Sequence, residues 1–253
     1  MNPRLDPLRA VHILCDMKRD MHLVPRSMPS KPSTVRMYGA VFPAWPDSVH
    51  VILPKNAVLR RDGAEPRYAH VLLSGLVTST VTLSDGRSMA VCMHSEGEVL
   101  ELEHLLGCNS GTSVSNVQVA GVAVRFPFAV LREALEVDVT LRKSLLSALG
   151  RRLQDLRQAS VCNCLHRIDQ RLCRHLLNVQ NRTGQEELPL TQEQMAQHMG
   201  VRRTSLTVAA GLLRQRGYIT LRRGFVTVRD REALEAIACE CHRQNTAQAE
   251  WAS

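Results

Sequence analysis

Two arginines, Arg202 and Arg203, stand directly ahead of Thr204, Ser205 and Thr207 in the segment GVRRTSLTVAAGLLRQRG. Arginine offers a planar fork of N–H donors that matches the N7 and O6 edge of guanine, and hydroxyl groups reach phosphates or base edges. Gathered at the start of one apolar-periodic stretch, these side chains suit contact with a duplex. Eight cysteines are also present. Cys162 with Cys164, and Cys239 with Cys241, form two CxC pairs that together supply four thiols. Both pairs read as helical, where residues two apart face different directions, so no metal site is expected from them and they read as small buried thiols. His70, His94 and His104 are scattered, and the sequence contains no His-x-His, which excludes a cupin-like metal enzyme. No cofactor and no catalytic residue is expected.

Stepping outward, the arginine segment needs a scaffold that projects it. Thr191 opens TQEQ, in which the threonine caps a helix and Gln194 reaches back to the cap; Gln192 belongs to the same exposed start. Met195, Ala196 and Met199 form the inner face, and Gly200 ends the helix. A second helix over about 202–216 follows, with Leu206, Ala209, Ala210, Leu212 and Leu213 turned inward and the small residues at 209–211 allowing close approach. Two helices joined by a glycine turn make a helix-turn-helix. ITLRRGFVTV, residues 219–228, then reads as a hairpin wing with Arg222 and Arg223 at its tip, placed for backbone contacts. DREALEAIACECHR reads as one closing helix from an Asp230 cap. Upstream, IDQRLCRHLL carries Ile168, Leu172 and Leu176 on one face.

Between Val49 and Phe126 the chain is made of short Val-, Leu- and Thr-rich runs: VHVIL, YAHVLL, LVTSTVTL, SMAVCM and VQVAGVAVRF. Turn signals separate them, of which SDGR at 84–87 is the strongest hairpin mark. This spacing predicts an antiparallel roll. After Pro127, Val139, Leu146, Leu149, Leu153 and Leu156 follow a four-three rhythm to about Ser160, a narrow seam that suits pairing with a second helix. Residues 1–45 read as irregular, with a short helix around Leu8–Met17 and a linker at PRSMPSKPS.

The fold class that follows is α+β. Its parts are an arm (1–45), a β-roll (46–128), a dimerisation helix (129–160), a winged helix-turn-helix (161–243) and a tail (244–253). The net charge of +8 at pH 7, carried almost wholly by arginine, agrees with a polyanionic partner. No run of eighteen apolar residues and no signal-peptide core are present, so a cytoplasmic address and no membrane partner are expected.

This order of parts resembles the Crp/Fnr family of bacterial transcription regulators over residues 49–243. The resemblance rests on LLSGLVTSTVTLSDGRSMAVCMHSEGEVL, ALGRRLQDL and, most specifically, LTQEQMAQHMGVRRTSLTVAAGLLRQRGYITLRRGFVTV. It implies a homodimer reading an imperfect palindrome in double-stranded DNA, with RNA polymerase as a further partner. Arg203 takes the place of the family's guanine-reading arginine and Ser205 that of a phosphate-binding hydroxyl. Thr204 replaces an acidic base-reading residue and Val208 a further contact arginine, so the operator differs from the best-known consensus. In the sensor, Glu101, Leu102 and Glu103 replace Gly-Glu-Leu, and Thr112-Ser113 replaces Arg-Ser. A cyclic phosphate would lose its bidentate cation, which excludes cyclic AMP as the expected effector. Only Cys15 lies where iron–sulfur members carry a cysteine cluster. The effector is left open, with thiol-redox or haem responsiveness through His70, His94, His104 or a cysteine as alternatives.

Overall fold

A hairpin precedes the expected roll: β1 (Thr34–Met37) and β2 (Ala40–Pro43) pair antiparallel with Met37 opposite Ala40. The computed structural model describes residues 32–61, 66–107 and 113–242. The helix expected near Leu8–Met17, the tail 244–253, Cys15, Cys108 and Thr112 lie outside them. The irregular arm expected up to residue 45 is therefore corrected at its end. In VRMYGAVF the apolar residues alternate on either side of Tyr38-Gly39, both with positive φ as a tight hairpin turn requires. Val35, Met37 and Phe42 are buried against the roll, and that burial holds the hairpin down.

The roll consists of two antiparallel sheets. One orders β3 (Val49–Leu53), β9 (Gly121–Pro127) and β5 (Tyr68–Leu72); the other orders β4 (Val58–Arg60), β8 (Ser113–Val119), β6 (Leu76–Thr82) and β7 (Ser88–His94). The SDGR hairpin forms as expected, with Leu83 and Arg87 bonded at 2.7 Å and Gly86 at φ 85°. VQVAGVAVRF is split into two strands at Ala120, and β4 adds a strand that the pattern did not reveal. Gly121 is required where the turns cross, because a Cβ there would lie 2.1 Å from the Ser74 carbonyl oxygen. Leu53, Leu72, Val77, Leu100, Val117 and Ala123 fill the space between the sheets.

Two helices follow in place of one. α1 (Phe128–Val137) ends at Asp138, whose carboxylate caps α2 (Val139–Leu165) by accepting from the Leu141 N–H at 2.9 Å. α2 runs five residues past the expected end at Ser160. Its Leu141, Leu145 and Ala148 are buried against Phe126, Phe128 and Leu131 of the roll side. On another face Val139, Leu146, Leu153 and Leu156 are exposed, while Leu149 is partly buried. The long helix thus packs on its own roll with one stripe and leaves the predicted seam open.

The C-terminal part comprises α3 (Ile168–Thr183), β10 (Glu187–Leu188), α4 (Gln192–Met199), α5 (Arg203–Gln215), β11 (Ile219–Arg222), β12 (Phe225–Val228) and α6 (Arg231–Ile237). β10, which no pattern in the sequence marks as a strand, joins the wing as a third strand beside β12. The core of this part includes Leu172, Leu176, Met195, Leu206, Leu213 and Val226, and it extends into the roll through Leu76 and Val119. Polar contacts cross the same boundary. Gln118 donates to the Pro189 carbonyl at 3.2 Å. Glu98 accepts from Arg182 of α3 at 2.6 Å and lies 3.8 Å from Arg152 of α2. No helix among the described residues is long and apolar enough to cross a membrane.

Candidate nucleic-acid interface

Thr191 and Gln194 form the predicted reciprocal cap. The Gln194 N–H donates to the Thr191 hydroxyl at 3.1 Å, and the Thr191 N–H donates to the Gln194 side-chain oxygen at 2.9 Å. At the far end of α4, Gly200 takes φ 61° and closes the helix through bonds to Ala196 and Gln197. This turn also touches the roll: a Cβ on Gly200 would lie 2.7 Å from the Met89 sulfur, and Gln197 donates to Ser88 at 2.7 Å. α4 is thereby fixed from both sides before α5 begins.

In α5, Leu206, Ala209, Ala210 and Leu213 are buried as the periodicity requires. Leu212 is the exception. It is 47% exposed, because at the helix's angular step it falls between the inner face and the solvent side. The reason offered for a small residue at 211 also fails, since a Cβ there meets nothing within 4 Å. The first turn projects outward: Arg202, Arg203, Thr204 and Thr207 are exposed and Ser205 is half-buried. Thr207 donates to the Gln192 side-chain oxygen at 2.8 Å, which ties the starts of α4 and α5 into one polar surface. Arg203 lies 3.5 Å from Glu193, with both side chains about two-thirds exposed, a pair that water and salt screen strongly. Glu193 went unnoticed in the sequence because its partner is ten positions away and on a different helix.

No side chain caps α5 at Arg202. Its free N–H groups and two arginines face solvent together, although cations at a positive dipole end repel it mildly. Arg222 and Arg223 are exposed at the tip of the wing, where Gly224 takes φ 82°. The fold thus presents Thr191, Gln192, Arg202, Arg203, Thr204, Ser205, Thr207, Arg222 and Arg223 on the winged domain's surface, with Thr191 engaged as the cap.

The sensor-like end of the roll is arranged differently. Glu101 is buried and paired with Arg60 at 2.5 Å, and it also accepts from Ser115. Burial raises the Glu101 carboxyl above its usual range, against the lowering effects of Ser115 and Arg60. Arg60 further donates to the Ser113 hydroxyl at 2.7 Å. A cavity of about 320 Å³ next to this pair is lined by Arg60, Arg61, Arg67, Tyr68, His70 and Glu101. Of His70, His94 and His104 only His70 opens on it. Burial, and to a lesser degree Arg125, push His70 down to about 4. His94 is buried with both ring nitrogens engaged, Nε2 by Ser79 at 3.2 Å and Nδ1 by Arg152 at 3.0 Å. His104 packs edge-on against Phe128.

The cysteine expectation needs correction. α6 ends at Ile237, so Cys239 and Cys241 lie beyond it and both turn inward. Cys162, near the end of α2, joins them, and so does His166, four residues on; Cys164 is exposed and takes no part. The helical geometry assumed for the second CxC pair does not exist there.

Residues 170–237 match the Crp-like helix-turn-helix domain. Among solved structures the chain is similar to FixK2 from Bradyrhizobium japonicum, at 17% identity and TM-score 0.66, covering 76% of this chain and 98% of that one. It is also similar to a CRP/FNR-family transcriptional regulator from Thermus thermophilus, at 21% identity and TM-score 0.64, covering 75% and 97%. A third likeness is to CLP, the c-di-GMP-responsive global regulator of Xanthomonas campestris, at 14% identity and TM-score 0.61, covering 72% and 93%. At such identities the likeness is one of fold. No curated protein is similar to the chain in sequence.

Proposed function

We propose, for a chain with the fold of the Crp/Fnr transcription regulators and a Crp-like helix-turn-helix domain, that it binds palindromic operators as a homodimer through α5 and the wing. The observation that carries this reading is the exposed first turn of α5, with Arg202, Arg203, Thr204 and Thr207 projecting from a helix whose other face is buried. Arg203 reads a guanine edge, Ser205 holds a phosphate, Thr207 braces Gln192 at the same surface, and Arg222 and Arg223 add backbone charge. The open α2 seam of Val139, Leu146, Leu153 and Leu156, flanked by Leu149, supports pairing of two copies. Two reading heads then address half-sites about one helical turn apart.

Sequences selected from random DNA by the pure full-length protein test the reading. A two-fold symmetric motif bound with an affinity that falls steeply with salt is the expected outcome. Recovery of no common motif, or of an asymmetric one bound by a single copy, contradicts it. Cyclic AMP leaves the operator affinity unchanged in this reading, because Glu101 occupies the place of a glycine and Arg60 already serves Glu101 and Ser113.

A further inference from the structure

The cluster of Cys162, His166, Cys239 and Cys241 serves none of the contacts described above. The four ligand atoms all lie within 4.8 Å of one another. Cys162 Sγ and Cys239 Sγ are 3.6 Å apart, and Cys241 Sγ is 3.5 Å from His166 Nδ1. Zinc bonds of about 2.3 Å to sulfur and about 2.0 Å to nitrogen, set at the tetrahedral angle, place two sulfurs about 3.8 Å apart and sulfur and nitrogen about 3.5 Å apart. The spacing is that of a coordination sphere. We propose that these residues hold one structural zinc ion in a closed Cys3His site, pinning the end of the winged domain to the end of the long helix.

The surroundings fit the same assignment. Cys162, Cys239 and Cys241 are buried together and form a small cluster of their own, apart from the three apolar cores. Buried thiols that merely fill a core pack among Leu and Val, whereas these pack against each other and an imidazole. His166 Nε2 lies 3.2 Å from the Glu240 carboxylate, the outer partner that fixes which ring nitrogen faces a metal. Gln158 Nε2 donates to Cys241 Sγ at 2.8 Å, as amides do toward metal-bound thiolates. Three thiolates and a divalent ion leave a net charge of −1, and Arg171 and Arg174 are neighbouring cations, the buried Nε of Arg174 having no hydrogen-bond partner among the described residues. Thiolate-rich four-coordination favours zinc over magnesium, calcium or manganese, and four protein ligands leave no open position for catalysis. A disulfide between Cys162 and Cys239 would use two of the four groups and would not need His166 or its carboxylate.

The ligands come from two places. Cys162 and His166 are one helical turn apart at the end of α2, and Cys239 and Cys241 follow α6. An ion there closes a loop of 77 residues that contains the whole helix-turn-helix and wing. Binding therefore stabilises the folded winged domain directly and releases thiol protons as it does so.

Cobalt(II) loading of the reduced, metal-stripped full chain tests this without reference to DNA. One equivalent per chain is expected, with the intense visible bands of tetrahedral cobalt and thiolate charge transfer at shorter wavelength, displaced by one equivalent of zinc. C241S abolishes the tetrahedral spectrum and the zinc-induced rise in the thermal midpoint, while C164S keeps both. H166C retains tetrahedral binding with charge transfer increased from three thiolates to four, which serves as the readout if C241S fails to fold. Only pale six-coordinate cobalt in the parent protein, or equal loss in C164S and C241S, overturns the assignment. So does a Cys162–Cys239 disulfide whose reduction yields no cobalt site.

Discussion

At the scale of single residues, the proposed operator contact divides into groups expected to select bases and groups expected to hold the backbone. Arg203→Ala is expected to cost about 1–3 kcal/mol of operator binding and to relax one base position per half-site. Arg222→Ala or Arg223→Ala should weaken all sequences alike and reduce the salt slope by about one unit each. Binding isotherms on a panel of operator variants at several salt concentrations separate the two patterns, and uniform loss for Arg203→Ala would remove it from base reading. A second residue-scale property is acid sensitivity. His198 Nδ1 faces His175 Nε2 at 3.4 Å between α4 and α3. Burial pushes His198 down to about 4, and burial, His198 and then Arg174 hold His175 well below 6.5. Histidines depressed in the fold take up protons first in the unfolded chain, so their stabilisation is complete above about pH 6.5 and is lost as pH falls toward 4. The slope is at most about 1.4 kcal/mol per pH unit for each group. Urea midpoints measured from pH 7 to 5 should fall in the parent and fall less in His198→Gln; parallel curves would refute the assignment.

At the scale of elements, α2 carries two apolar stripes with opposite fates, and substitution tells them apart. Leu146→Glu with Leu153→Glu changes side chains that are 56% and 50% exposed in the protomer. The expected product is a folded monomer by sedimentation, with little change in helix content. Leu145→Ala, on the buried stripe, should instead cost about 2–5 kcal/mol of stability. Unchanged sedimentation of the double glutamate variant would mean that the seam does not join copies. These elements also show what a sequence can carry. The cap at Thr191, the SDGR hairpin and the exposed seam were legible because each is set by residues within a few positions of one another. The end of α6 was not. AIACECH has no glycine or proline to stop a helix, and the chain turns at Ala238, in an extended φ −54°, ψ 145°, where Cys239 is drawn to Cys162 across the fold. β10 was missed for a similar reason, since Glu187-Leu188 becomes a strand only beside Thr227 and Val226.

At the scale of the whole molecule, the roll and the winged domain share a boundary at which Gly200 packs closely against Met89. Gly200→Ala should lower stability on two counts, its φ of 61° and the collision with the Met89 side chain. In a Met89→Ala background only the backbone part should persist, so a double-mutant cycle by denaturant unfolding is expected to show a coupling of about 0.5–3 kcal/mol. Additive effects would mean that the two domains do not press on each other there. Glu98 makes the wider arrangement concrete. It sits in the short turn after β7, within 4 Å of guanidinium nitrogens from both α2 and α3. One carboxylate on the roll is therefore a shared anchor for α2 and for α3. A shift of that turn would be felt by both helices at once, so within one chain this single carboxylate links the roll to the long helix and to the winged domain.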